Sequence, residues 1–199
     1  MRRLLFEGSA LAVVLVLPHA VHGQSIGFKL GGSLANQEFD PEAESSSIGA
    51  FAGGGFVRFG LGRLGVQVEA LSITRGSEDE ATNSETKIEY IEVPLLLHLP
   101  LTLGQSFAPY VIGGPSIAFD VDCELETTSG VTAECPDREN TDFGLSAGGG
   151  LGVAAGPGAL LFEGRYTWGL KNISKAEAVE VKNRTALFVV GYELPIGRR

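Results

Sequence analysis

The sequence predicts an all-β fold, an eight-stranded antiparallel up-and-down transmembrane β-barrel. Apolar residues alternate one by one with small or charged residues through eight stretches, which is the period of a strand with two different faces. The connections between these stretches are alternately long and acidic, then short and rich in Gly or Pro. The apolar run 10–17 is too short for a membrane helix, which needs about 20 residues.

The segment 1–23 has the features of a secretory signal peptide. Arg2 and Arg3 precede the apolar run, Pro18 follows it, and small residues lead to Gly23. A basic start, a short apolar middle and a small residue before the cut are typical of such leaders. We expect cleavage after Gly23, which leaves residues 24–199 as one barrel domain.

The first four predicted strands are 25–36, 48–61, 64–75 and 86–99. Their apolar sides hold, strand by strand, Ile26, Phe28, Leu30 and Leu34; Phe51, Val57, Phe59 and Leu61; Val66, Val68 and Ala70; and Ile91, Val93, Leu95, Leu97 and Leu99. The opposite sides carry Lys29, Arg58, Glu69 and Glu92, together with Tyr90 and His98. Strict alternation predicts a strand at each of these places.

The last four predicted strands are 107–121, 143–155, 159–170 and 184–196. The apolar residues of the last three are Phe143, Leu145, Ala147, Leu151 and Val153; Leu160, Phe162, Tyr166, Trp168 and Leu170; and Phe188, Val190, Tyr192 and Leu194. Glu163, Arg165 and Glu193 lie on the opposite sides. Aromatic residues near strand ends are typical of the interfacial girdles of membrane barrels, and we assign Phe59, Phe107, Tyr110, Phe143, Tyr166, Trp168 and Tyr192 to them.

The connections divide into two classes. Segments 62–63, 100–106 and 156–158 are short, whereas 37–47, 76–85, 122–142 and 171–183 are long. In an antiparallel barrel all the long connections lie at one end, and outer-membrane barrels have short periplasmic turns and longer external loops. The four long segments hold seventeen of the 24 acidic residues, including Asp142, so we expect a charged, water-facing rim.

The charged residues of the strands share the less apolar faces. They are Lys29, Arg58, Glu69, Glu92, Glu163, Arg165 and Glu193. The interior of an eight-stranded barrel has room for side chains and little else. An isolated buried charge is very costly, so we expect these residues to pair in a structural network that fills the lumen.

Four sequence runs resemble the PorT-type outer-membrane β-barrel domain family. They are TKIEYIEVPLLL at 86–97, PYVIGGPS at 109–116, GVQVEAL at 65–71 and LFEGRYTWGLKNI at 161–173. The resemblance implies an eight-stranded barrel of the porin family in a Gram-negative outer membrane. It implies the lipid bilayer and the barrel insertion machinery as partners, and it implies no particular activity.

The chemical motifs are few, and we predict no enzyme, cofactor or metal site. The run 60–65 matches GxGxxG, but an alternating strand follows it instead of the helix that cradles a phosphate. His98 is the only histidine in 24–199, and a serine hydrolase would need a nucleophile and an acid beside it. The formal charge of −9 excludes a phosphate-binding basic stripe, so nucleic acid is not a partner.

Cys123 and Cys135 are the two cysteines, and both lie in the same long connection. Exported proteins meet an oxidising environment, so we predict a structural disulfide between them. In the chain-entropy model a bridge of this span stabilises the fold by roughly 3 kcal/mol.

One alternative stays open from the periodicity alone. A soluble exported barrel that binds a small apolar ligand shows the same alternation, with its aliphatic side inside and its charged side in water. We favour the membrane barrel because the charged faces are sparse, mixed in sign and dominated by Gly and Ser. On this interpretation the protein has a structural or loop-mediated role and is not an open pore, and a partner at the acidic loops is left open.

Overall fold

The structure is a computed structural model that describes residues 24–40, 46–79, 84–101, 107–126, 132–134, 140–172 and 180–196. Side chains are described for 24–36, 49–75, 88–101, 107–122, 140–172 and 181–196. The signal peptide predicted at 1–23 lies outside these ranges. In this part of the chain no helix is long and apolar enough to cross a membrane.

Nine strands make up the described fold. They are β1 Gln24–Asp40, β2 Ser46–Leu61, β3 Leu64–Asp79, β4 Ser84–Pro100, β5 Phe107–Glu126, β6 Thr132–Glu134, β7 Thr141–Ala155, β8 Gly158–Gly169 and β9 Glu180–Pro195. The short β6 pairs only with the far end of β5. The other eight match the eight predicted strands, and each exceeds the about 9–11 residues that a tilted spanning strand needs.

The eight long strands form a closed antiparallel barrel. The order around it is β4-β3-β2-β1-β9-β8-β7-β5, and the pairing of β5 with β4 closes the ring. All consecutive pairs are antiparallel, and the N-terminal strand β1 lies between β2 and the C-terminal strand β9. Closure removes free strand edges, so each long strand has a hydrogen-bonded neighbour on both sides. The predicted fold class is confirmed.

Several strands continue further towards the long connections than the sequence predicted. β1 reaches Asp40, β3 reaches Asp79 and β5 reaches Glu126, whereas we expected ends at 36, 75 and 121. At the same end β7 begins at Thr141, so Asp142 lies within a strand. Asp142 was expected in the water-facing rim and is instead 1% exposed. Polar residues extend these strands because pairing with a neighbour satisfies their backbone groups.

The outer surface of the barrel is apolar. Exposed residues include Phe28, Leu95, Phe162, Trp168 and Phe188, and Phe188 is 61% exposed. On the same strands Lys29, Glu92, Glu163 and Thr185 are at most 4% exposed because they face inward. The soluble alternative required the aliphatic side chains inside the barrel and the charged ones outside. It is therefore wrong, because the aliphatic side chains cover the outer surface.

The interior also contains apolar side chains between the charged ones. Ala52, Leu71, Ile73, Leu187 and Val189 form one buried cluster. Phe56, Leu96, Tyr110, Ile112 and Leu161 form a second, nearer the short turns. Tyr110 was assigned to the outer aromatic girdle, and this is wrong, because the residue faces the lumen and is 4% exposed.

Glycine on the inner faces allows close approach between neighbouring strands. A Cβ added at Gly114 of β5 would overlap the carbonyl oxygen of Leu95 on β4. A Cβ added at Gly152 of β7, also on the inner face, would make an ordinary contact, 3.5 Å from the carbonyl oxygen of Ala108.

We predict that Gly114→Ala destabilises the barrel by about 1–3 kcal/mol, the usual cost of overpacking. The matched variant Gly152→Ala, also on an inner face, should leave stability nearly unchanged. Urea unfolding of the barrel in detergent micelles, followed by the heat-dependent shift in gel mobility, measures both. Equal effects of the two substitutions would contradict the close approach at Gly114.

Candidate functional site

The charged side chains of the lumen form three groups along its axis. A short-turn group contains Arg58 and Glu193, a central group contains Lys29, Glu69, Glu163 and Arg165, and a loop-end group contains Arg75, Glu92 and Asp142. Every strand of the barrel except β5 supplies at least one of these nine residues. The alternation of each strand turns them to the interior, since residues two apart point the same way.

The central group is fully buried. Lys29 Nζ lies 2.7 Å from Glu69 Oε1 and 2.7 Å from Glu163 Oε2, with the side chains of all three residues 0% exposed. Arg165 Nη1 lies 2.7 Å from Glu69 Oε2. The hydroxyl of Tyr110 donates a hydrogen bond of 2.9 Å to Glu163. Two cations and two carboxylates therefore balance within this group.

One of these pairs crosses the full width of the barrel. Arg165 is on β8 and Glu69 is on β3, and these strands are four places apart in either direction around the ring of eight. A direct contact of 2.7 Å between them therefore follows a diameter of the lumen.

The short-turn group joins β2 to β9. Arg58 Nη1 contacts both carboxylate oxygens of Glu193, at 2.7 and 2.9 Å, and Arg58 Nε donates to Gln67 at 2.8 Å. Ser25 also donates a hydrogen bond to Glu193. Gln67 donates in turn to Glu69, which connects this group to the central one.

The loop-end group is organised around Arg75 of β3. Its guanidinium pairs with Glu92 of β4 through Nη2 and with Asp142 of β7 through Nη1, the latter at 3.2 Å. Asn183 donates a hydrogen bond of 2.8 Å to Asp142. The Arg75 guanidinium also lies over the ring of Tyr90, 5.3 Å from its centroid.

The structure brings all seven predicted lumen residues to the interior and gives each at least one charged partner. Sequence reasoning missed Arg75, Tyr110, Asp142 and Asn183. Arg75 carries a signal that was available, because it is six residues from Glu69 and so shares its face. Asp142 carried no such signal, because it was assigned to a loop, where side chains have no fixed face.

A cavity of about 200 Å³ opens beside the short-turn group. Its lining includes Arg58, His98, Tyr110 and Glu193, with alanine, glycine, proline and leucine completing the wall. The His98 ring stacks against Tyr110 with centroids 4.5 Å apart. His98 thus lies at the end of β4 that is nearer the short turns.

Two sequence predictions concern the disulfide between Cys123 and Cys135 and the binding of metal ions. The side chain of Cys123 and the whole of Cys135 lie outside the described residues. Within the described part of the chain, no group of three or more His, Cys, Asp or Glu residues is placed to hold a metal ion.

We predict that Arg165→Ala destabilises the folded barrel by about 3–5 kcal/mol, because removal of one partner leaves Glu69 and Glu163 buried with less compensation. Arg63→Ala, at an exposed turn, is the matched control and should cost little. Equilibrium urea unfolding in lipid vesicles measures the difference. Equal stability of the two variants would mean that Arg165 is solvated.

A second variant separates the charge from the packing. Arg165→Met combined with Glu69→Gln removes one charge of each sign while keeping most of the side-chain volume. This pair should be more stable than Arg165→Ala, since replacing a whole buried ion pair is often nearly neutral.

The chain is similar to several solved structures at low sequence identity. Ail, the attachment invasion locus protein of Yersinia pestis, is 16% identical with a TM-score of 0.46, over 87% of this chain and 99% of that one. The N-terminal β-barrel domain of Pseudomonas aeruginosa OprF is 12% identical with a TM-score of 0.41, over 87% and 100%. The outer membrane protease OmpT from Escherichia coli is 9% identical with a TM-score of 0.49, over 87% and 97%.

No curated protein sequence matches the chain significantly. A family model described as outer membrane protein beta-barrel domain matches residues 19–175, which is most of the chain. The chain therefore belongs to the outer membrane protein beta-barrel domain family and is a protein of the bacterial outer membrane.

Proposed function

We propose that this protein is an outer-membrane barrel whose lumen is closed by paired side chains, with a structural or loop-mediated role rather than that of an open pore. The observation that carries the proposal is the contact between Arg165 and Glu69 across a diameter of the barrel. At that level Lys29 of β1 lies on one side of this pair and Tyr110 of β5 reaches Glu163 from the other side. Lys29, Glu69, Glu163 and Arg165 are at most 5% exposed.

The energetics favour a lumen that stays closed. Water-filled porins have many more strands, whereas eight strands enclose an interior that side chains fill. Separating Lys29 from its carboxylates would leave buried charges without compensation, which is strongly unfavourable. The tyrosine bond to Glu163 and the glutamine bond to Glu69 add further contacts that an open state would lose. The same groups therefore support both stability and closure.

We also propose that the protein is not an enzyme. His98 is the only histidine of the barrel domain, and its ring stacks on Tyr110 in the short-turn cavity. The described lining of that cavity contains no serine, threonine or cysteine that could serve as a nucleophile. A catalytic histidine also needs an acid to orient it. The carboxylate in this cavity is that of Glu193, and it already pairs with Arg58.

The remaining features suit an exported surface protein. Residues 1–23 have the pattern of a cleaved signal peptide, and the acidic long connections suit a water-facing exterior that meets other molecules. The quoted runs at 86–97 and 161–173 support a PorT-type affiliation within the wider family. A bridge between Cys123 and Cys135 would tie the longest connection together.

We predict that the purified barrel in planar lipid bilayers gives little or no steady conductance, because paired side chains occupy its cross-section. A 16-stranded porin reconstituted by the same procedure serves as the positive control. A stable large-pore current from the eight-stranded barrel would overturn the closed-lumen proposal.

We predict that the protein isolated without reductant carries the Cys123–Cys135 bridge. Alkylation under denaturing conditions should then leave its mass unchanged, and prior reduction should add one alkyl group at each cysteine. Full alkylation without reductant would show free thiols and would remove the disulfide from the account.

A further inference from the structure

The cavity beside the short-turn group opens at that end of the barrel. Pro100, Ala108 and Ala154 line it. They continue the inner faces of β4, β5 and β7 almost to the strand ends, and all three are exposed there. Towards the middle of the lumen, Gln67 accepts a hydrogen bond from Arg58 and donates one to the central group. The cavity is therefore a pocket at the barrel end, in front of the central charges.

Two polar atoms of the cavity wall have no partner. Within the described residues, eight buried side-chain nitrogen or oxygen atoms lack a hydrogen-bond partner, and Arg58 Nη2 and His98 Nε2 are two of them. Both side chains line the cavity, and His98 is 6% exposed. A buried donor or acceptor without a partner is destabilising, so an occupant that bonds to both atoms would remove this cost.

Arg58 and His98 lie side by side in the wall. A Cβ added at Gly65 of β3 would lie 3.4 Å from Cδ of Arg58 and also 3.4 Å from Cβ of His98. The ring of Tyr110 is close to both side chains. Its centroid is 4.5 Å from that of the His98 ring and 5.8 Å from the guanidinium carbon of Arg58. The two side chains with unpartnered atoms therefore converge on one part of the cavity.

The bonds already made in the wall favour a neutral ligand with a hydroxyl group. Arg58 Nη1 contacts both carboxylate oxygens of Glu193, so the charge of the guanidinium is balanced. The hydroxyl of Tyr110 is also engaged, because it donates to Glu163. An anion would add a negative charge beside Glu193, whereas a neutral ligand adds none. A hydroxyl oxygen accepts from Arg58 Nη2, and the same group can donate to His98 Nε2 or accept from it.

The rest of the wall favours an apolar ring as the body of the ligand. Alanine, glycine, proline and leucine complete the described lining. Ligand pockets of this kind combine an apolar wall with a few polar groups that fix the orientation of the ligand. An engineered apolar cavity of about 150 Å³ binds benzene. The volume of about 200 Å³ therefore has room for one ring that carries a hydroxyl group.

We propose that this cavity binds a small neutral molecule with one apolar ring and a hydroxyl group, the class of the phenols and cyclic alcohols. The hydroxyl group bonds to Arg58 Nη2 and His98 Nε2, and the ring lies against the alanine and glycine wall. The molecule enters from the end of the barrel where the short connections lie. This inference goes beyond the proposed function and does not depend on whether the barrel conducts.

The direct test is crystallographic and uses the wild-type protein. Crystals soaked in 4-bromophenol, whose bromine scatters anomalously, should show one anomalous peak inside the cavity. The phenol oxygen should lie within hydrogen-bond distance of Arg58 Nη2 and His98 Nε2. Ordered water alone in the cavity after the soak would overturn the proposal, since water would then be the partner of both atoms.

The solution test compares three fluorinated probes by ¹⁹F NMR, with the barrel in lipid nanodiscs. Binding of 4-fluorophenol to the cavity should saturate, whereas its partition into the lipid should not. Fluorobenzene lacks the hydroxyl group and should bind at least about tenfold more weakly, because the two buried atoms then stay unpaired. Equal affinity for these two probes, or tighter binding of the anion 4-fluorobenzoate, would overturn the proposed ligand class.

Two matched variants on β7 locate the bound probe. Ala154→Leu adds a side chain at the mouth of the cavity and should abolish saturable binding of 4-fluorophenol. Ala147→Leu makes the same change on the outer face and should leave that binding unchanged. The heat-dependent shift in gel mobility shows that each variant is folded. Equal binding of 4-fluorophenol by the two folded variants would place the probe outside the cavity and overturn the proposal.

Discussion

The two faces of every strand have opposite surroundings, and the rest of the structure follows from this constraint. A strand in a lipid bilayer can present polar backbone groups only to neighbouring strands, which requires a closed ring. Its outer side chains then meet hydrocarbon and its inner ones meet each other. Phe28 and Lys29 are adjacent in the chain, yet the first is 54% exposed and the second 0% exposed. Two residues adjacent in the chain therefore face the lipid and the charged interior.

The narrow interior determines how the charges are arranged. Because eight strands leave little room for water, ionic groups stabilise one another across the lumen instead of being hydrated. Arg165 reaches Glu69 on the opposite strand, and Lys29 lies between Glu69 and Glu163. The apolar clusters around Leu71 and Leu96 occupy the levels between charged groups. On the function proposed above, the contacts that stabilise the barrel are also the ones that close its lumen.

The alternation of apolar and polar residues along each strand predicted most of the fold, but it did not predict which charged side chains pair in the lumen. It placed Lys29, Glu69 and Glu163 on inner faces, since only the identity of alternate residues was needed. It could not predict which partner each one meets, because contacts across the lumen depend on how far neighbouring strands are shifted along one another.

Two errors have the same kind of physical cause. Tyr110 resembled an interfacial aromatic, but its position in the alternation of β5 turns it inward, where its hydroxyl reaches Glu163. Asp142 was expected in a loop because it follows a long acidic segment, yet β7 already begins at Thr141. Residue type suggested a membrane-interface position for Tyr110 and a water-facing loop for Asp142, and in both cases the strand geometry turns the side chain into the lumen.

The chain contains a single tryptophan, Trp168, on the outer face of β8, and this allows one direct measurement of sidedness. The protein is reconstituted in vesicles of brominated lipid, and tryptophan fluorescence is compared with that in unbrominated vesicles and with quenching by acrylamide in water. The account predicts strong quenching by the brominated chains and weak quenching by acrylamide. Strong quenching by acrylamide with none from the lipid would contradict an apolar surface that faces the membrane.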